Sequence, residues 1–322
     1  MLSDSYENEE LKLNVISKIK TQELNITGYI VLLSSSLLYG GNVVAGRLIS
    51  GDIPPIALSM LRGLSGLLVL LPLAWRSLQQ SPKPTRKDLY NFALLGFLGI
   101  TVAYGSFLWA IQYSTATNAA IIFASNPAIT NILLAVGWGV MPSRLRILGI
   151  GLSFCGLLVV ISQGSFTRLL SLNLSPSDLV LLLNVLAVAI FTIIGQGVML
   201  KFTPLVTSVY SLFFGTIFLL PYGVWEMLTK SWHLSGTSWI ILLYMGCVVT
   251  GIAVLLNFEG ISRIGSGKAA IFNNIVPVFS ILLAFILLGE RLALYHLIGF
   301  GFVLIGIGFC LYPKSVKQID TF

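Results

Sequence analysis

Polar residues in this 322-residue chain are gathered into short clusters that separate long apolar runs. Residues 147–167, 179–200, 269–289 and 292–313 contain no Asp, Glu, Lys or Arg. A helix crosses a bilayer with about 20 apolar residues. On that measure ten spanning helices are expected: 28–48, 54–75, 89–112, 116–139 and 145–164, then 178–200, 204–228, 237–260, 267–288 and 292–312. The third and fourth are divided at the polar stretch Gln112–Asn118, QYSTATN, which has the composition of a helix cap. The runs are apolar all round, so a 3.6-residue period does not identify them. Strands are the other structure that spans a membrane, and barrel strands alternate polar with apolar residues. No such alternation occurs here, and the expected fold is all-α and integral to the membrane.

The chain also repeats itself. Shifted by 150 residues without a gap, the stretch from Leu108 meets the stretch from Phe258. Ala119, Ala120 and Ile121 fall on Ala269, Ala270 and Ile271; Pro127 falls on Pro277 and Gly139 on Gly289. Gly149, Gly151 and Gly156 fall on Gly299, Gly301 and Gly306. Five helices per copy is an odd number, so the second copy enters the membrane upside down. Inverted repeats of this kind place a substrate site near the midplane, between the copies. The expected organisation is a tail (1–27), a first five-helix repeat (28–164), an external linker (165–177), a second repeat (178–312) and a final tail (313–322). The first 27 residues carry mixed charge and lack the basic start and cleavage site of a signal peptide.

Charge fixes the expected orientation. Only 10% of residues are charged, against about 25% in soluble domains. With the N-terminus inside, Arg47, Arg168, Lys230 and Arg291 lie outside and Arg62 lies within a helix. The remaining Lys and Arg residues lie inside, which places both termini in the cytoplasm. The net charge of +7 is then a topology signal rather than a nucleic-acid surface. Cys155, Cys247 and Cys310 sit in apolar runs without metal-ligand spacing and read as small buried hydrophobes. Ser262–Ala269, SRIGSGKA, looks like the end of a phosphate-binding loop but lacks its first glycine and final hydroxyl, and no strand precedes it. The two histidines, His233 and His296, form no catalytic or metal constellation, so no enzyme and no cofactor is expected.

Certain motifs carry a family resemblance. They are PIALSMLR (Pro55–Arg62), the Thr115–Pro127 stretch ending in Asn-Pro, GSGKAAIFNNIVPVFS (Gly265–Ser280), and LLGERL (Leu287–Leu292) before a glycine-rich last helix. With five plus five helices, these residues make the chain similar to the drug/metabolite transporter superfamily, specifically its EamA-type ten-helix exporters. The resemblance covers about residues 28–312. The first copy departs from it, with Gly139-Val140-Met141 where the second has Gly289-Glu290-Arg291. The resemblance implies alternating-access export of small metabolites, commonly amino acids or related compounds, through the plasma or inner membrane.

Arg62 is the sharpest candidate for a substrate contact. It lies eight residues past Pro54, about 12 Å into its helix at 1.5 Å per residue. An arginine there costs about 2.5–3.5 kcal/mol on insertion scales and must face protein or water. Two readings stand: contact with a substrate carboxylate or phosphate, or a structural bond to helix-end carbonyls or to an acid such as Asp52 or Glu259. The equivalent position in the second copy is near Ser211. Uncharged polar residues complete the candidate cavity: Tyr39, Asn42, Tyr104, Trp109, Asn118, Ser125, Asn126, Gln196, Asn257, Asn273 and Asn274. Each is read either as a cavity group or as an interhelical bond. Pro127 and Pro277 are expected to break their helices and free carbonyls to line the cavity. Glu259 is either a protonatable coupling residue or the partner of Arg263 one turn on. Glu290 reads as a turn or cap element. The glycines of the fifth and tenth helices read as close packing, within the chain or with a second copy. The expected partners are a small-molecule substrate and the bilayer, with the protein a monomer or homodimer. Cation-type multidrug efflux is the alternative function, and a passive channel a further one.

Overall fold

The computed structural model describes residues 25–49, 51–110, 122–165, 167 and 176–311. Among these residues the chain is helical, with no strand. Two helices form the start, α1 (Ile26–Leu48) and α2 (Pro55–Gln80). Helix α3 comprises Arg86–Gly96, a π-helical Phe97–Val102 and Ala103–Ala110. Next come α4 (Asn126–Trp138), α5 (Arg144–Ile161), α6 (Pro176–Val198) and α7 (Pro204–Thr229). Helix α8 comprises Gly236–Leu243, a π-helical Tyr244–Ala253 and Val254–Ile264. Helix α9 comprises Ser266–Ala269, a 3₁₀ stretch Ala270–Ile275 and Val276–Leu288. Helix α10 is Leu294–Leu311. Among the described residues nine of these are long and apolar enough to cross a membrane. The exception, α4, is described for 13 residues, because the earlier part of the expected 116–139 segment falls largely outside the described residues.

The helix starts follow from their caps. The side chains of Asn25, Ser143, Thr203 and Ser235 each accept a backbone N–H three residues on, and Thr85 with Asp88 forms a capping box. Gly139 and Gly289 close α4 and α9 in the left-handed region, at φ 66° and 67°. Leu68, Val136 and Leu228, each at least 75% exposed, face outward where lipid is the solvent.

The two halves interleave. Helix α10 lies along α5, α7 along α2 and α3, α8 along α2 and α1, α9 along α1, and α6 along α4 and α3. Every one of these pairs joins a first-half helix to a second-half helix. Their contacts exchange under the 150-residue shift. A Cβ built on Gly149 would strike the Gly306 carbonyl oxygen, and one on Gly299 would strike that of Gly156. Ser153 Oγ donates to the carbonyl of Val303, its own counterpart. Likewise Gly96 of α3 presses on Gly215 of α7, and Gly246 of α8 on Ser65 of α2. This second pair sets the counterpart of Arg62 at Leu212, one residue beyond the sequence-based position. The π-helical stretches also correspond, as do the starts of the straight segments at Asn126 and Val276, each one residue before its proline.

The expectation of close-packed glycines on α5 and α10 holds for part of the set. Gly151, Gly301 and Gly308 have nothing within 4 Å of a built Cβ, because they lie on the opposite helix faces from the contact. This divides the set experimentally. Gly149→Ala and Gly306→Ala are expected to destabilise by roughly 1–3 kcal/mol through overpacking against backbone. Gly151→Ala and Gly301→Ala are expected to be neutral or to raise Tm, since alanine is the better helix former. Thermal unfolding in detergent reads both; equal effects at the two kinds of position would refute the seam geometry.

Candidate functional site

Arg62 is 4% exposed, two turns into α2. A guanidinium taken out of water needs compensation. Its Nε donates to Thr250 Oγ1 at 3.3 Å, and its plane lies 4.8 Å from the centre of the Tyr104 ring. Tyr39 of α1 stands within electrostatic reach of both Arg62 and Tyr104. Four helices therefore converge on the charge: α1, α2, α3 and α8. The π-helical stretch of α8 sets Thr250, whose hydroxyl donates to the Met245 carbonyl five residues back at 2.9 Å.

The acids considered as structural partners are engaged elsewhere. Asp52 accepts from Ser238 Oγ, and its carbonyl accepts from His233 N. Glu259 accepts from Arg263 Nε at 2.7 Å within α8. Among the described residues no carboxylate pairs with Arg62.

A second polar group lies where α4 and α9 break. Asn273 Nδ2 donates to Asn126 Oδ1 at 3.0 Å, and Asn126 Nδ2 reaches the Val185 carbonyl of α6 at 3.5 Å. Ser125 turns back on the Ile122 carbonyl at 2.6 Å. The carbonyl of Phe272, in the 3₁₀ stretch of α9, accepts from Ser36 Oγ of α1 at 3.1 Å. Asn274 is 1% exposed, and neither its Oδ1 nor its Nδ2 has a partner among the described residues. Asn42 Oδ1 and Thr216 Oγ1 are also buried and unpartnered there. Buried amides are ordinarily satisfied, so Asn274 and Asn42 stand out, whereas Thr216 Oγ1 packs against Gly63 where α7 meets α2.

Of the other expected residues, one is bonded elsewhere. Gln196 Oε1 accepts from Ser266 N at 2.8 Å and Ser266 Oγ at 2.6 Å, tying α6 to the start of α9. Asn257 is half-buried on α8 and makes no hydrogen bond among the described residues. Trp109 falls in the last segment of α3, and Asn118 lies outside the described residues. Glu290 pairs with Arg47 at 3.1 Å on the surface, joining the loop after α9 to the end of α1. SRIGSGKA forms the turn between α8 and α9, with Gly265 at φ 84°.

Two residues with clear roles lack an obvious sequence signal. Thr250 is one hydroxyl in an apolar run. Glu226 looks like an interfacial acid four residues before Lys230, yet it is 1% exposed. Its Oε2 accepts the backbone N–H groups of Ile56 and Ala57 at 2.8 and 3.0 Å, capping α2 from another helix. Its Oε1 takes Lys230 Nζ at 2.8 Å.

A family model described as "EamA-like transporter family" matches residues 26–162 and again residues 175–312. The chain belongs to the EamA-like transporter family. It is a multi-pass integral membrane protein and a membrane transporter. It is 26% identical over 295 residues to the "Uncharacterized transporter YetK" of Bacillus subtilis (strain 168), covering 91% of this chain and 89% of that one. It is 28% identical over 326 residues to "Protein WALLS ARE THIN 1" of Arabidopsis thaliana, covering 90% of this chain and 84% of that one. A crystal structure superposes with a TM-score of 0.71 at 15% identity, covering 88% of this chain and 96% of the other. That likeness establishes the fold alone.

Proposed function

We propose that this EamA-family transporter is a secondary exporter of amino acids or related small carboxylate-bearing metabolites. Substrate passes through a central cavity between the two repeats, which rock to open it to either side in turn. Both termini lie in the cytoplasm on this reading. The observation that carries the substrate class is Arg62, a buried guanidinium with no carboxylate beside it among the described residues. A guanidinium fork matches a carboxylate with two parallel charge-assisted bonds. The asparagines at the breaks of α4 and α9 supply adaptable donors and acceptors for the rest of a small polar molecule. Orientation is supported by the Lys and Arg distribution. It is also consistent with the bonds among loops. The α1–α2 loop meets the α7–α8 loop and the end of α1 meets the α9–α10 loop at one end, and the α6–α7 loop meets the start of α3 at the other. A buried arginine repels cations at short range, which weighs against efflux of quaternary amines through the same cavity.

Counterflow in proteoliposomes, with and without a pH gradient, tests the proposal. The panel is amino acids, nucleosides, sugars and quaternary amines. Accelerated exchange of amino acids is the expected result. Exchange confined to quaternary amines, and indifferent to Arg62, would replace this reading with cation efflux.

A further inference from the structure

We infer that Arg146 and Lys268 form a second anion site, a phosphate-binding notch at the end of the bundle that the charge distribution assigns to the cytoplasm. Arg146 lies in the first turn of α5 and Lys268 in the first turn of α9. Both line one notch, and Arg146 stands close enough for its charge to act on Lys268. Among the described residues neither forms an ion pair. The Nε of Arg146 is buried and has no hydrogen-bond partner there. The two line a cavity of about 10 Å³ with Leu134, Val140, Ile264 and Gly265. Its floor is fixed: Asn131 Nδ2 donates to the Gly267 carbonyl at 3.1 Å and to that of Pro127 at 2.8 Å.

Three features of this arrangement are unfavourable when the notch is empty. Like charges face each other in a half-buried setting, where screening is weak. A guanidinium N–H is desolvated without an acceptor. A cation also sits at a helix N-terminus, where the backbone dipole favours anions. One oxyanion relieves all three. The volume admits about one water-sized group. A phosphate would therefore seat one oxygen in the notch and hold the others at its mouth, on the Lys268 ammonium and the Arg146 fork. The chemistry is that of a phosphate monoanion or diester, which comes either from an anionic lipid headgroup or from a soluble phosphate. Basic pockets between helices on the cytoplasmic side suit lipid phosphates. The feature is one-sided: under the 150-residue shift Arg146 falls on His296 and Lys268 on Asn118. His296 Nδ1 is taken by the backbone N–H of Ala293 at 3.0 Å.

The test reads thermal unfolding, not transport, so it stands or falls apart from the substrate assignment. The purified protein is placed in nanodiscs of phosphatidylcholine alone, in the same nanodiscs with inorganic phosphate at matched ionic strength, and in nanodiscs containing phosphatidylglycerol. A ligand that binds only the folded state raises Tm. The expected result is a rise in one or both of the last two conditions. It should be lost in Arg146→Gln/Lys268→Gln and kept in Lys83→Gln, an exposed lysine at the same end. A rise with phosphatidylglycerol alone assigns the notch to lipid; a rise with inorganic phosphate assigns it to a soluble anion. Lys268→Gln by itself should weaken the fitted affinity about 10-fold or more, and it is the variant to use if the double change does not fold. No rise in either condition, or an equal rise in the substituted protein, overturns the site.

Discussion

Arg62→Gln should abolish carboxylate exchange, with a fall of about 100-fold or more, while the protein still folds. Hydrogen bonds to charged groups contribute about 1.5–3 kcal/mol each, and a guanidinium–carboxylate fork has two. Every 1.4 kcal/mol is a factor of 10, so losing both removes most of the affinity. Stability should hold, because the guanidinium has one hydrogen bond and one ring contact among the described residues. Its removal also takes a costly charge out of the membrane interior. Arg62→Lys separates charge from geometry: it keeps a cation but loses the fork, and intermediate exchange is expected. Wild-type exchange rates in Arg62→Gln, at matched protein density, would exclude Arg62 from the substrate path.

Glu226→Ala should have the largest effect on stability, with a loss of roughly 2–6 kcal/mol, at about 1–3 for each of two buried N–H groups left without an acceptor. Both backbone N–H groups that open α2, those of Ile56 and Ala57, lose their acceptor, and Lys230 loses its bond to this carboxylate. Two of the first N–H groups of a helix are then left orphaned under protein. Glu226→Gln keeps an acceptor oxygen and should lie between the two. Unfolding in detergent measures the series. A Glu226→Ala protein as stable as the parent would show that water replaces the carboxylate at this helix start.

The helices were legible in the sequence because charge is nearly absent from them and concentrated between them. The expected boundaries of α2, α5 and α7 lie within about five residues of the observed ones. The breaks before Pro127 and Pro277 were legible for a local reason, since proline supplies no N–H to the preceding turn. Positions that depend on the other half were not. Asn126 and Gln196 each read as a cavity group or an interhelical bond, and only the packed halves supply the partners, Asn273 and α6 for Asn126 and Ser266 for Gln196. Nothing in the residues around Glu226 shows that Ile56 and Ala57 lie above it, 170 residues away in the chain. The seam glycines gave a mixed result, because their spacing identifies small residues but not which side of α5 meets α10.

The seam has a consequence for the direction of transport. Its contacts are self-complementary: Gly149 rests on Gly306 as Gly299 rests on Gly156. A framework that maps onto itself when turned upside down is degenerate with respect to in and out. If transport runs by the alternating access proposed above, this framework by itself gives no preference for efflux over uptake. Vectorial behaviour must come from the places where the two-fold is broken. In this chain those include Arg62 against Leu212, Arg146 against His296, Lys268 against Asn118, and Glu290-Arg291 against Val140-Met141. Exchanging such residues for their counterparts is therefore a way to reverse or level a preference for one direction without disturbing the scaffold.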